Sequence, residues 1–532
     1  MAALDPTLTH SRRWWTLAVL CLSLFVIVVD NTIVNVALPT LVRELDTSTS
    51  DLQWVVDSYT LVFAGLLLTA GSLGDRFGRR GALSTGLVIF GAASAFAAFA
   101  DGVTPLVVAR AVMGVGAALI MPATLSILTN VFTDARERAV AIGLWSAVVG
   151  VAVALGPVTG GFLLEHFWWG SVFIVNVPVV VVALLAGRAF VPTSRDPAAP
   201  RLDLLGAVLS IVGLAALVWS IIEGPELGWT STEVVGGLAV AALTLAAFGW
   251  WEVRASQPML DLRLFRNPRF SAASAAITII AFALFGFIFM ATQYLQFILG
   301  YSALEAGVRT LPFAGAVMLT APISSKLVER FGTKAVVVTG LLSFAAGMVV
   351  VAGTTTGSSY SRVFLAMVLM GGGMGLAQAP ATESIMGALP REKAGVGSAV
   401  NDTTRELGGA LGVAVIGSIL SSLYDDRLVE RAGSSVPPPA LDAAKESVGS
   451  ALAVAYQVGG DPGGTLAGAA RDAFVHGFTT ASLVTAAFAV LGAVVALRWL
   501  PARASVLDDE HTGDTQPQAD GVAAEHEPQL VN

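Results

Sequence analysis

Apolar residues run along this chain in long unbroken stretches, with polar residues confined to short segments between them. Fourteen stretches reach the length of about 20 residues that a helix needs to cross a bilayer. They lie near 14–38, 53–73, 82–100, 105–130, 140–164, 170–190, 204–222, 233–251, 270–298, 305–327, 335–353, 361–388, 398–422 and 474–499. The pattern predicts an all-α integral membrane protein. Composition agrees: 13% of the 532 residues are charged, against roughly a quarter in a soluble protein. Arg12-Arg13 before the first stretch would also suit a secretory signal, but thirteen further spans and no small-residue cleavage site favour a retained helix.

An even number of spans puts both termini on one side, and the basic residues say which. Of the 30 Lys and Arg, 21 fall on loops facing the N-terminal side, seven on opposite loops, and Arg110 and Arg405 inside helices. Both termini are therefore expected in the cytoplasm, with the chain in the cell membrane. The net charge of −8 arises largely from the C-terminal tail and the opposite loops, so it says little about partners. The single Cys21 excludes an intramolecular disulfide and a cysteine metal cluster, and His10, His166, His476, His511 and His526 show no ligand spacing. No metal, cofactor or nucleic acid is expected, and a monomer is.

Two echoes divide the chain. Asp75-Arg76-Phe77-Gly78-Arg79-Arg80 returns as Glu329-Arg330-Phe331-Gly332-Thr333-Lys334, offset by 254, and Pro122-Ala123-Thr124-Leu125-Ser126-Ile127 returns as Pro380-Ala381-Thr382-Glu383-Ser384-Ile385, offset by 258. A parallel repeat of six spans per half follows, with spans 7 and 8 as an inserted pair. The expected organisation is a six-helix lobe over 1–190 and a linker with two inserted helices over 191–268. A second six-helix lobe covers 269–503, with a long extracellular loop at 424–473, and 504–532 form a disordered cytoplasmic tail. Pro192 to Pro200 and Glu252 to Arg269 read as polar connectors, and Leu441 to Val458 as a partly helical cover.

The chemistry concentrates in a few places. Gly71 to Arg80, GSLGDRFGRR, sits between spans 2 and 3, with Gly71, Gly74 and Gly78 suited to a sharp turn and to close approach of two helix ends. Asp75, Arg76 and Arg79 lie within it, and Asp75 is expected to meet the cationic loop Arg136–Arg138 and the N-terminus of a facing helix. Asp30 stands about 22 Å along span 1, well inside the hydrocarbon. A carboxylate there must be paired, protonated or in contact with water, and such a group can load and release a proton. The bland alternative is a structural Asp satisfied by backbone or by Asn31 and Asn35. Arg110, at comparable depth in span 4, is a natural partner for Asp30 or else an interfacial arginine snorkelling outward. Span 5 carries Gly150 and then Gly156-Pro157-Val158-Thr159-Gly160-Gly161, a small-residue packing face beside a helix-kinking proline.

These motifs, over residues 12 to about 500, resemble the fourteen-helix drug:proton antiporter branch of the major facilitator superfamily. The resemblance implies proton coupling at Asp30, with Arg110 the matching arginine, Gly71 to Arg80 the conformational loop, and Gly156 to Gly161 the antiporter kink. One departure is Met113, where the branch often has glutamine. Asp57, a turn into span 2, matches an acid used toward cationic substrates, or else caps a helix at the interface. Asp402, Arg405 and Glu406 read as a charged start to span 13 and a cytoplasmic latch. Glu383 is either the partner of Arg405 in that latch or a second acid for cationic drugs. Phe282, Phe285, Phe287, Phe289 and Tyr294 in span 9 either line a cavity or pack.

The resulting expectation is a proton-coupled exporter of lipophilic, often cationic, small molecules working by alternating access. The nearest rival is an exporter dedicated to one endogenous metabolite or lipid. A symporting importer fits the kink motif less well, a sensor lacks a signalling domain, and no catalytic constellation suggests an enzyme.

Overall fold

Fourteen helices long and apolar enough to cross a membrane make up the computed structural model, which describes residues 6–44, 49–195, 203–256, 258–432, 436–445 and 447–502. The first six are α1 (Pro6–Glu44), α2 (Thr49–Phe77), α3 (Arg79–Ala98), α4 (Val103–Val131), α5 (Ala135–His166) and α6 (Asn176–Phe190). The inserted pair is α7 (Leu204–Leu227) and α8 (Thr232–Arg254). The last six are α9 (Pro268–Gln293), α10 (Leu311–Phe331), α11 (Thr333–Ala352), α12 (Tyr360–Met386), α13 (Ala394–Ala432) and α14 (Gly460–Trp499). Every regular element among the described residues is helical, as a bilayer requires when it offers the backbone no hydrogen bonds.

Buried apolar side chains gather into two cores, one drawn chiefly from residues 17–191 and the other from 260–500. These are the two lobes of the repeat. The inserted helix α7 packs on α2 of the first lobe, on α13 of the second, and on α8. Arg13 pairs with Glu137, and Thr16 Oγ1 donates to Phe190 O at 2.8 Å, so α1 begins on the face where α5 begins and α6 ends. We refer to this as the basic face.

The loop signature is shorter than its ten residues suggest. α2 continues through Phe77 and α3 starts at Arg79, so Gly78 alone makes the turn, at φ +115°. Its echo Gly332 turns the chain between α10 and α11 at φ +85°. Only glycine adopts such a φ without strain. Gly71 remains helical and serves contact instead: a Cβ there would sit 2.5 Å from Gly395 O, so α2 and α13 touch through their backbones.

The expected long outer loop at 424–473 is mostly helix. α13 extends to Ala432, Pro438–Lys445 and Val448–Val458 are short helices, and α14 already starts at Gly460. Pro462 and its glycines look like a break, but they occupy the first turn of α14, where a missing N–H costs nothing. Tyr424 donates to Ala444 O at 3.0 Å, and Arg427 and Arg431 both reach Asp472, which ties this cover together. The tail 504–532 and the second part of the linker, 196–202, lie outside the described residues.

Candidate functional site

Asp30 is fully buried on α1. Its Oδ2 accepts from Arg110 NH1 on α4 at 2.5 Å, and its Oδ1 accepts from Asn176 Nδ2 on α6 at 2.7 Å. Asn176 is itself fixed, since Nδ2 also donates to Ser94 Oγ on α3 at 2.9 Å and Ser94 Oγ donates to Phe173 O at 2.9 Å. Arg110 Nε donates to Val55 O at 3.0 Å, and the guanidinium carbon lies 4.3 Å from the centre of the Tyr59 ring on α2. Helices α1, α2, α3, α4 and α6 thus converge on one carboxylate. Neither Arg110 nor Asp30 is at an interface, so the snorkelling alternative does not describe Arg110. Asn35, offered as a partner, has no described side chain.

Beside this pair, between the lobes, lies a cavity of about 50 Å³. Asn31, Thr32 and Tyr59 line it from the first lobe, and Gln378, Arg405 and Glu406 from the second. Arg405 is 3.5 Å from Asp402 Oδ1 and 3.7 Å from Glu406 Oε1. Asn401 Nδ2 donates to Asp402 Oδ1 at 3.2 Å. A cytoplasmic latch is therefore the wrong reading of Asp402, Arg405 and Glu406. α13 begins at Ala394, so these residues stand about 12–18 Å along it, at the depth of the cavity.

The basic face carries the contacts that join the lobes. Asp75 accepts from Arg79 Nε at 2.8 Å, from Gly395 N at 3.0 Å and from Val396 N at 3.2 Å, the last two at the N-terminus of α13. Arg79 NH2 donates to Glu392 O at 2.8 Å. Of the two contacts expected for Asp75, the facing helix N-terminus is present. The cationic loop is engaged elsewhere: Arg136 pairs with Glu329 at 2.7 Å and Arg138 with Glu383 at 2.9 Å. Glu383 thus meets Arg138 of α5 rather than Arg405. The helical start of α13 at Ala394 carries Arg405 too deep to reach this face. Arg76 stacks over Phe77 at 5.2 Å.

The small residues of α5 face both lobes. A Cβ on Gly156 would overlap Thr32 Oγ1, and one on Gly160 would lie 3.2 Å from Ile33, both on α1. Gly150 meets Val317 of α10, Gly161 faces Leu304, and Pro157 packs on Gly307 in the short helix Ala303–Arg309. Asp57 is half-buried on α2 and does not line the cavity. Among the span 9 aromatics, Phe285 alone lines it. Phe282 packs on Phe488 and Tyr294 on Phe478, with ring centres 4.6 and 4.8 Å apart. Asn176 and Tyr59 escaped the sequence reading, although a lone amide inside the apolar run Ile174 to Val182 is a usable signal.

A buried acid–arginine pair at the core of a two-lobed, fourteen-helix bundle is joined by a family match: the sequence model of the Major Facilitator Superfamily aligns with residues 20–413. The chain belongs to the major facilitator superfamily. Within that superfamily it is 38% identical over 493 residues to the multidrug efflux pump LfrA of Mycolicibacterium smegmatis, covering 92% of this chain and 97% of LfrA. It is 35% identical over 494 residues, 92% of each chain, to the tetracenomycin C resistance and export protein of Streptomyces glaucescens. The proton:xylose symporter XylE, another superfamily structure, superposes with a TM-score of 0.61 over 93% of this chain and 97% of its own at 14% identity. At that identity the likeness speaks for the fold.

Proposed function

We propose that this superfamily member is a proton-coupled antiporter that exports lipophilic, often cationic, drugs across the cell membrane. The basic face is the cytoplasmic one, because Lys and Arg concentrate there, and both termini lie on that side. The lobes are residues 1–190 and 269–503, with 191–268 as the inserted segment. The observation that carries the reading is the buried Asp30–Arg110 pair beside an interlobe cavity, in a chain whose relatives are efflux and resistance proteins.

The coupling follows from charge accounting. With Asp30 ionised, Arg110 is neutralised and the pair is stable. A proton taken up at an Asp30 carboxylate oxygen leaves the guanidinium as an unbalanced buried cation, an arrangement worth about 3–5 kcal/mol of destabilisation. The lobes relieve it by moving to a state in which the cavity opens and acids such as Glu406 face it. An inward proton contributes about 2.3 kcal/mol per 100 mV, which drives substrate outward. The present cavity of about 50 Å³ is far below the roughly 300–1,000 Å³ of drug sites. Substrate therefore enters when the basic-face contacts part. Glu383 acts as one half of such a contact, with Arg138.

The test is efflux of a lipophilic cationic dye from cells expressing the chain. Export that stops when an uncoupler collapses the proton gradient is expected. Export unchanged by the uncoupler, or no export beyond that of cells lacking the chain, would contradict the proposal.

A further inference from the structure

The segment joining α8 to α9 has two unlike sides. Its underside is anchored: Glu252, 3% exposed, accepts from Leu260 N at 3.1 Å through Oε2, and Met259 and Leu260 are buried. Leu262 Cδ1 lies within 3.6 Å of where a Cβ on Gly249 would stand, seating the 3₁₀ turn Leu262–Arg266 against the end of α8. Phe265 packs edge-on against Phe270, ring centres 5.1 Å apart. Asp203 accepts from Trp251 Nε1 at 2.7 Å, which ties the base of α7 to the same end.

The other side faces out. Trp250, Val253 and Phe265 are 58%, 66% and 41% exposed, and Arg254, Arg263 and Arg266 are exposed beside them. Arg254 lies 4.4 Å over the Trp250 ring. Among the described residues none of these three arginines forms an ion pair, whereas Arg13, Arg79, Arg136 and Arg138 on the same face each hold a carboxylate. The nearby acids are held by neutral donors and by none of the three arginines: Asp261 accepts from the backbone of Arg263, Asp203 from Trp251, and Glu252 from Leu260 through Oε2, while its Oε1 is buried without a partner. α8 is also the least buried of the fourteen spans, so this surface meets lipid at the level of the headgroups. Aromatic rings there sit at the headgroup boundary and arginine forks match phosphate oxygens.

We propose that Trp250, Val253, Arg254, Arg263, Phe265 and Arg266 form a binding site for the headgroup of an anionic phospholipid. The apolar side chains lie among the upper acyl chains and the three guanidinium groups hold the phosphate and its neighbours. A bound lipid would fix the inserted pair against the start of α9.

The test uses the purified full chain. Retention of phosphatidylglycerol and of phosphatidylcholine is measured by native mass spectrometry across a lipid titration, with inorganic phosphate as competitor. The variant R254Q/R263Q/R266Q should retain phosphatidylglycerol on the order of a hundredfold more weakly. R254K/R263K/R266K, which keeps the charge without the fork, should fall between the parent and the Gln variant, and R12Q/R188Q, elsewhere on the same face, should keep all of the affinity. Circular dichroism and a monodisperse elution profile establish that each variant is folded. Parent-like retention by the folded Gln variant would overturn the site. So would equal retention of phosphatidylcholine, equal loss in R12Q/R188Q, or displacement by phosphate alone, the last pointing to a soluble anion.

Discussion

Asp30 gains its chemistry from what the surrounding helices can and cannot neutralise. The pair with Arg110 is fully enclosed, so the two charges stand or fall together. Arg110→Gln leaves an unpartnered carboxylate and should cost about 3–5 kcal/mol of stability. Adding Asp30→Asn removes the stranded charge, so the double variant should recover much of its membrane yield and melting temperature while remaining unable to drive dye uphill. Strictly additive losses would show that the pair is not coupled. Asp30 and Arg110 were legible because a charge inside an apolar run is conspicuous. Asn176 and Tyr59 were not, because a single amide or phenol is common in such runs and only the fold brings these to the same carboxylate. Gly156 offers a steric counterpart: Gly156→Ala would press on Thr32 Oγ1 and should impair transport, and Thr32→Ala should restore part of it, since the residue 32 Cβ still lies 2.7 Å from the added methyl. Failure of that rescue would place the conflict elsewhere.

Between elements, α2, α5, α12 and α13 meet at the basic face. The Arg136–Glu329 pair is largely exposed and should contribute little. Arg138–Glu383 is mostly enclosed, with side chains 14% and 17% exposed. Arg138→Glu and Glu383→Arg should each slow dye efflux severalfold, and the double exchange should restore it. Arg405→Gln should behave differently, leaving Asp402 and Glu406 unbalanced at the cavity and tightening the binding of a cationic dye. If Arg405→Gln is also rescued by a change at Glu383, the pairing is wrong. Sequence located the spans well but misplaced what lies at their ends. Charges at 402–406 look like a helix start when α13 is taken to begin near 398, and the four residues from Ala394 onward move them to cavity depth. The glycines before Thr465 likewise read as a loop, because turn composition does not distinguish a break from a first turn.

For the whole molecule, the repeat was visible in two short echoes, and the matching turns at Gly78 and Gly332 are its structural trace. How the halves close on each other was not visible, since it depends on backbone contacts such as Gly71 against Gly395 that carry no side-chain signature. Closure of the basic face is one state of a rocking cycle. A reversible thiol crosslink between Arg136→Cys and Glu329→Cys, in a Cys21→Ser background, should hold that state and stop transport, and a reductant should restore it. Transport at the parent rate while crosslinked would rule out rocking about this face.

The central claim is that inward proton movement through Asp30 drives export, and proteoliposomes test it without other cellular pumps. The purified chain is reconstituted, a proton gradient is imposed, and movement of a lipophilic cationic dye is followed against its concentration gradient. The parent should drive uphill movement that collapses with the gradient, while Asp30→Asn, inserted equally well, should still exchange dye for dye but drive none uphill. Uphill movement by Asp30→Asn at the parent rate would contradict the account.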